Sequence, residues 1–275
     1  PIRAAIEQRP SGFTHSATLP PLLGIKDTSL MWFSSYLADR GQCVKIRDAT
    51  YKRTPLKYGV PQGSVLGPRL FSLYTRPLSD VIKRQNIQHH SYADDTQLYI
   101  SIDPQSSSDI TSPVHKIENA VSAIKAWMGE HFLKLNEGKT EVLVVKQPSL
   151  SLRPLSINIC NCPITPSKHV RNIGVIFDST LNLDEHVRAT CKLAFYHMRS
   201  IAKIRYLSAS ATEALIHAHV MSRIDYCNSL LFGVPRYCMQ RLQRVQNAAA
   251  RVTCRRRRRD HVTPLLKTLK CRTCS

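Results

Sequence analysis

A chain of 275 residues, 43% of them hydrophobic and 21% charged, can bury a core, which excludes bulk disorder. Its 39 Lys and Arg against 19 Asp and Glu leave a formal net charge of +20, a surface that attracts polyanions, nucleic acid first. It has no apolar run of roughly 18 residues to cross a bilayer, and its nine cysteines, an odd and scattered set, fit free thiols better than a disulfide framework.

Taken in order, residues 1–21 carry four prolines and no sustained period, so they are expected to be irregular, with order beginning near Leu22. From Ser29 to Arg40, Leu30, Phe33 and Leu37 recur at helical spacing with Trp32 and Tyr36 on the flank. That pattern predicts an amphipathic helix whose aromatic stripe faces the core. Residues 43–58 are short and partly β-branched, and Gly59-Val60-Pro61-Gln62-Gly63 breaks any regular element. A helix is expected from Pro68 through Leu70, Phe71, Leu73 and Tyr74 to a basic end at Lys83-Arg84, because proline is tolerated in a first helical turn. Ile87 to Ala93 reads as a strand, and after Asp94-Asp95 the alternation of Leu98, Ile100 and Ile102 with Gln97, Tyr99 and Ser101 has period two. The two aspartates are therefore expected at the tip of a β-hairpin.

Asp103-Pro104 and a serine-rich loop end that strand. Ser112-Pro113 offer an N-cap and first turn to a long helix striped by Ile117, Val121, Ile124 and Met128. Glu141 to Lys146 reads as a strand, Leu155 to Thr165 as a hairpin, and Val170 to Phe177 as one more strand. Beyond Asp184 the period turns helical. Ser210 with Glu213 is a capping-box pattern ahead of Leu215, Ala218 and Met221, and Leu242, Val245, Ala249 and Val252 define a further apolar face. The class expected is α+β, mixed to about residue 181 and mainly helical after it. The start shows no secretory signal and the end is a polar scrap, so the chain is expected to be intracellular, in nucleus or cytoplasm, with both ends cut or decayed.

Adjacent carboxylates at a hairpin tip repel one another unless a cation lies near them. Magnesium suits such oxygen donors, keeping several waters and taking substrate phosphates as further ligands. Asp94 and Asp95 are thus candidate metal ligands, although an Asp-Asp pair taken alone is more often a surface turn bonded to its own backbone.

Their surroundings carry more. Tyr92-Ala93-Asp94-Asp95 follows Gly59-Val60-Pro61-Gln62-Gly63-Ser64-Val65-Leu66-Gly67-Pro68 in an order and spacing that resemble the third and second polymerase motifs of reverse transcriptases. Leu133-Lys134-Leu135-Asn136-Glu137-Gly138-Lys139-Thr140 resembles the fourth motif, and Ile173-Gly174-Val175 resembles the fifth. Trp32 to Leu37 is similar to the helix ahead of the second motif, while Ser222 to Leu231 and Leu242 to Arg251 resemble the helical segment that follows the core in jockey-like non-LTR (LINE-type) retrotransposons.

The resemblance implies a palm-type mixed sheet with packed helices and a helical thumb, divided as 1–57 (fingers and palm remnant), 58–180 (palm core) and 181–275 (thumb-like and post-polymerase region). It implies an RNA-directed DNA polymerase that joins dNTPs to a DNA primer on an RNA template, with two Mg2+ at Asp94 and Asp95. Gln62 and Gly63 would turn the backbone toward the template base and incoming nucleotide. Tyr92 would lie near the primer end, or be a plain strand tyrosine. Lys139 would meet the leaving pyrophosphate, or be a solvated charge at a helix end. Gly174 would belong to the segment that holds the primer end. Arg255, Arg256, Arg257, Arg258 and Arg259 cannot all pair internally, which leaves phosphate binding, nuclear localisation and plain solvation open.

One motif departs from the pattern. The family's first motif sets an essential aspartate five residues ahead of a phenylalanine and shortly before a His-Ser pair; Phe13 and His15-Ser16 fit, but counting back gives Gln8, with Glu7 one position off. Gln8 has no charge with which to bridge two metals, and Glu7 would need a shifted register. No stretch resembles the preceding fingers or an endonuclease. The expectation is a fragment that does not extend a primer alone, or else a non-catalytic, domesticated module that holds RNA or DNA.

Overall fold

The computed structural model describes residues 2–8, 26–55, 63–102, 111–147, 149, 155–159, 162–204, 206–257 and 259–268. The chain forms two compact units, residues 1–142 with 153–166 and residues 143–152 with 167–275. Mixed helix and antiparallel sheet make the class α+β, as expected. Among the described residues no helix is long and apolar enough to cross a membrane.

In the first unit, strand β1 (Ile2–Gln8) corrects the expectation of an irregular start. Ile2, Ala4 and Ile6 alternate with Arg3, Ala5 and Glu7 in the period of a strand, and Pro1 and Pro10 flank that run without interrupting it. Helix α1 (Asp27–Leu37) brings a second correction, since none of its residues is buried; Trp32 is 52% exposed and stacks on Tyr36 at 5.4 Å. Its ring pair satisfies itself along one helix face instead of entering a core. Two small ladders follow, β2 (Gly41–Gln42) with β5 (Thr54–Pro55) and β3 (Lys45–Ile46) with β4 (Ala49–Thr50).

Helix α2 (Gly67–Arg84) starts with proline in its first turn and carries Pro77 inside, where one backbone donor is lost. Strands β6 (Gln88–Tyr92) and β7 (Asp95–Tyr99) form the expected hairpin. Helix α3 (Thr111–Glu130) buries Ile117, Val121, Ile124 and Met128, the predicted stripe, together with Val114, Ala120 and Trp127. Strand β8 (Leu133–Val142) begins well ahead of the expected Glu141, because Leu133 and Leu135 turn inward on either side of exposed Lys134. The sheet runs β6-β7-β1-β8, so β1 is wedged between the aspartate hairpin and β8. Helices α2 and α3 and the hairpin of β9 (Ile157–Ile159) and β10 (Cys162–Ile164) complete the unit, with Leu78, Ile82, Leu98, Ile124, Leu135 and Ile159 in one core. Each such side chain contributes roughly 1.5–3 kcal/mol on burial.

The second unit opens on β11 (His169–Asn172) and β12 (Val175–Asp178), a hairpin where one strand was expected, because Gly174 lets the chain reverse within two residues. Asp178 then pins the turn into helix α4 (Asp184–Ala202): its Oδ1 accepts from the Thr180 N–H, the Thr180 hydroxyl and the Asn182 N–H. Burial alone would raise its carboxyl, but the Thr180 and Asn182 donors outweigh that and hold it below the ordinary carboxylate value. Helix α5 (Ala209–Ile216) is capped by Ser208, whose Oγ accepts from Ala211 N–H; Ser210, expected in that place, lies inside the helix. A π-turn (His217–Met221) joins α5 to α6 (Ser222–Asp225), and a 3-10 turn (Asn228–Leu231) leads on to α7 (Arg236–Thr253) and α8 (Thr263–Thr268). Val187, Ala194, Met198, Val220, Leu242, Val245 and Ala249 form the core, and Val252 packs against it.

Candidate functional site

The β6–β7 hairpin closes on the pair Tyr92 and Asp95, leaving Ala93 and Asp94 as its two-residue turn. Short hairpin turns of this kind use a left-handed residue, and Ala93 takes that role at φ 53°. Along β7 the parity is strict: Thr96 and Leu98 are buried, so Asp95, Gln97 and Tyr99 belong to the other face. Asp94 is exposed at the turn and Asp95 half-buried, while Tyr92 is 65% exposed. On the core side of the hairpin a cleft of about 360 Å3 is lined by α2 and the strands, with Arg76, Ser79, His89 and Thr96 among its walls. Ser79 bonds His89 at 2.9 Å, and burial, with Lys83 and His90 nearby, keeps that imidazole below its ordinary pKa.

Beside the hairpin, Ala5 of β1 pairs with Asp95 on one side and with Asn136 of β8 on the other. One rung, Asp95–Ala5–Asn136, therefore links the hairpin to β8. The β8 register then slips between Asn136 and Glu141, and residues 137–140 bulge from the ladder. Lys139 stands exposed on that bulge, its N–H donating to Asn136 Oδ1 at 3.2 Å, and Thr140 Oγ1 donates to the Asn136 carbonyl at 3.0 Å. Lys139 is thus a strand-bulge residue, which corrects the alternative of a helix-end charge. Glu7 pairs with Lys134 and Gln8 with Leu133. Because residues two apart share a face, Glu7 takes the ladder parity of Ala5 and Asp95, and Gln8 that of buried Leu133.

Two adjacent carboxylates at an open turn are hard oxygen donors of the kind Mg2+ takes while keeping several waters, so these residues fit that ion. Among the described residues no three His, Cys, Asp or Glu side chains gather as a complete protein cage.

Gly63, in the same unit, has φ 86° with open space where a Cβ would stand, so conformation and not crowding calls for glycine. Gln62 and Arg258 lie outside the described residues. In the second unit Ile173 and Gly174 are the two turn residues of β11–β12, at φ 43° and 81°. Tyr226 Oη donates to the Ile173 carbonyl at 2.6 Å, and His186 Nδ1 accepts from Ile176 N–H at 3.4 Å. Burial, aided by Arg171, holds His186 below its ordinary pKa, which favours the neutral acceptor that this bond needs. Arg255, Arg256, Arg257 and Arg259 are exposed just past α7. Arg255 is not loose, for its guanidinium donates to the Leu207 carbonyl. Sequence reasoning missed β1, the strand that joins Asn136 to Asp95; the Ile2-Ala4-Ile6 alternation was the available signal.

A family model described as reverse transcriptase (RNA-dependent DNA polymerase) matches residues 15–177. Among curated relatives, a probable RNA-directed DNA polymerase from transposon BS of Drosophila melanogaster is 25% identical over 231 residues, 79% of this chain and 24% of that protein. A probable RNA-directed DNA polymerase from transposon X-element of the same fly is 24% identical over 229 residues, again 79% of this chain and 24% of the relative. The RNA-directed DNA polymerase from mobile element jockey, also of that fly, is 24% identical over 159 residues, 56% of this chain and 16% of the relative. The chain thus spans about a quarter or less of the length of these relatives.

Proposed function

The chain belongs to the reverse transcriptase (RNA-dependent DNA polymerase) family, in the form carried by non-LTR retrotransposons, and from that premise we propose that its first unit carries the site of RNA-templated DNA synthesis. The reaction is attack of a primer 3′-hydroxyl on the α-phosphate of a dNTP, which forms a phosphodiester bond and releases pyrophosphate. Asp94 and Asp95 are the residues to hold Mg2+, which when bound supplies positive charge beside the attacking and leaving oxygens. The observation that carries this reading is the rung Asp95–Ala5–Asn136, which sets the carboxylate hairpin beside the bulge of Lys139. From that bulge Lys139 reaches for the leaving pyrophosphate, and Gln62 with Gly63 is read as the contact to the template base and nucleotide. Tyr92 is the hairpin residue read as lying near the primer end, and within the second unit, taken by itself, Gly174 belongs to the turn read as the family's primer-holding segment. Residues 1–57 are the fingers and palm remnant, 58–180 the palm core and 181–275 the thumb-like and post-polymerase region, and the arginines from Arg255 to Arg259 track phosphates.

The chain alone does not extend a primer, because no aspartate occupies the first-motif position. With primed RNA, dNTPs and Mg2+, the purified chain is expected to incorporate nothing above an Asp94→Ala control, and robust extension would overturn that. Glu7→Asp tests the site itself by putting the shorter carboxylate at the register position that shares Asp95's parity. Extension gained on that change and lost again with Asp94→Ala is the expected result. A second reading, a holder of RNA or DNA without chemistry, is favoured by the net charge of +20. Oligonucleotide binding unchanged by Asp94→Ala and Asp95→Ala, together with silence of Glu7→Asp, would select it.

A further inference from the structure

The β11–β12 turn is an unusual one to build from this sequence. Both of its central residues are left-handed, and one is isoleucine, a β-branched side chain that avoids that region. Strain of this kind persists only where the surroundings impose it. Here the imposing group is identifiable. The Tyr226 hydroxyl donates to the Ile173 carbonyl at 2.6 Å, and its ring lies over Gly174, where an added Cβ would stand 3.2 Å from Cε1. Glycine at 174 is therefore required twice, by its φ and by the ring above it. Tyr226 is itself held: it ends helix α6, its N–H donates to the Ser222 carbonyl, and the next residue, Cys227, is left-handed at φ 54°. Tyr226 is 46% exposed.

We infer that Tyr226 is a positioning residue for primer-end binding: it fixes the Ile173-Gly174 turn in the one orientation that presents its backbone to the terminal nucleotide. The inference rests on the reading of that turn as the primer-end contact. Tyr226 touches the turn and not the reacting atoms, so its effect is on where the primer end lies and not on whether nucleic acid binds.

The test uses the full chain and a primer–template whose 3′-terminal primer residue is a photoreactive thymidine analogue. In the parent, crosslinks are expected within residues 169–178. Tyr226→Phe keeps the ring and loses the hydroxyl; crosslink yield at the turn is expected to fall about fivefold while total binding changes less than twofold and the melting temperature is held. Tyr226→Ala is expected to lose the turn crosslink altogether. A parent that crosslinks only outside 169–178 refutes the primer-end reading of the turn. A parent that crosslinks there, with yield unchanged in Tyr226→Phe and Tyr226→Ala, refutes the role of Tyr226 alone. A purely structural tyrosine would lower melting temperature and total binding together, and that outcome also overturns the inference.

Discussion

Ile173 sits at φ 43° although an L-residue with a branched β-carbon avoids the left-handed region at a cost of about 1–2 kcal/mol. Ile173 is 36% exposed at a hairpin tip, so its burial repays only part of this. Asparagine tolerates that conformation and is the favoured partner of a following glycine in such turns. Ile173→Asn is therefore expected to stabilise the second unit by about 1 kcal/mol, read as a rise in melting temperature; a fall would mean that the isoleucine makes contacts worth more than its strain. Ala93 repeats the pattern more mildly at the aspartate turn, where the side chain is only a methyl. Left-handed residues recur elsewhere among the described residues, at Phe132, Leu181, Leu183 and Cys227 for example, so it is the β-branched side chain of Ile173, and not the sign of φ, that sets this turn apart.

At the scale of elements, helix α5 offers a clean comparison. Ser208 and Ser210 flank its start, and only Ser208 accepts from a backbone N–H of the first turn. Ser208→Ala is expected to cost about 1 kcal/mol in unfolding free energy, and Ser210→Ala almost nothing; equal effects, measured by denaturant titration, would return the cap to Ser210. The same element shows what the amino acids disclose. A serine-x-x-glutamate pattern announces a helix start, but two serines two residues apart leave the boundary to tertiary packing. Helices α2, α3 and α7 were legible because a buried face repeated over many turns, and the aspartate hairpin because alternation ran up to its turn. Strand β1 was obscured by neighbouring prolines, the β11–β12 turn by an isoleucine where turn residues are expected, and the exposure of α1 by aromatic rings that look like core. Of the proposed site, Asp94, Asp95 and Lys139 were singled out by motif order; the rung through Ala5 and Asn136 left no local trace, because register between distant strands is not written in either one.

Over the whole molecule the net charge of +20 bears on the proposed nucleic-acid partner. Binding to primed RNA should weaken as salt rises, with a log–log slope of roughly −0.7 to −0.9 per phosphate neutralised. Replacing Arg255, Arg256, Arg257 and Arg259 together by alanine is expected to make that slope shallower, and an unchanged slope from titrations at several salt concentrations would remove the arginine run from the interface. The sheet of the first unit bears on a different matter, the order in which the molecule can be made. Its strand β1 is wedged between β7 and β8, yet neither partner exists when Ile2–Gln8 leaves the ribosome. The earliest described strand cannot be paired on both sides until Val142 has been synthesised, so its backbone N–H and C=O groups wait for partners far along the chain and this sheet closes late.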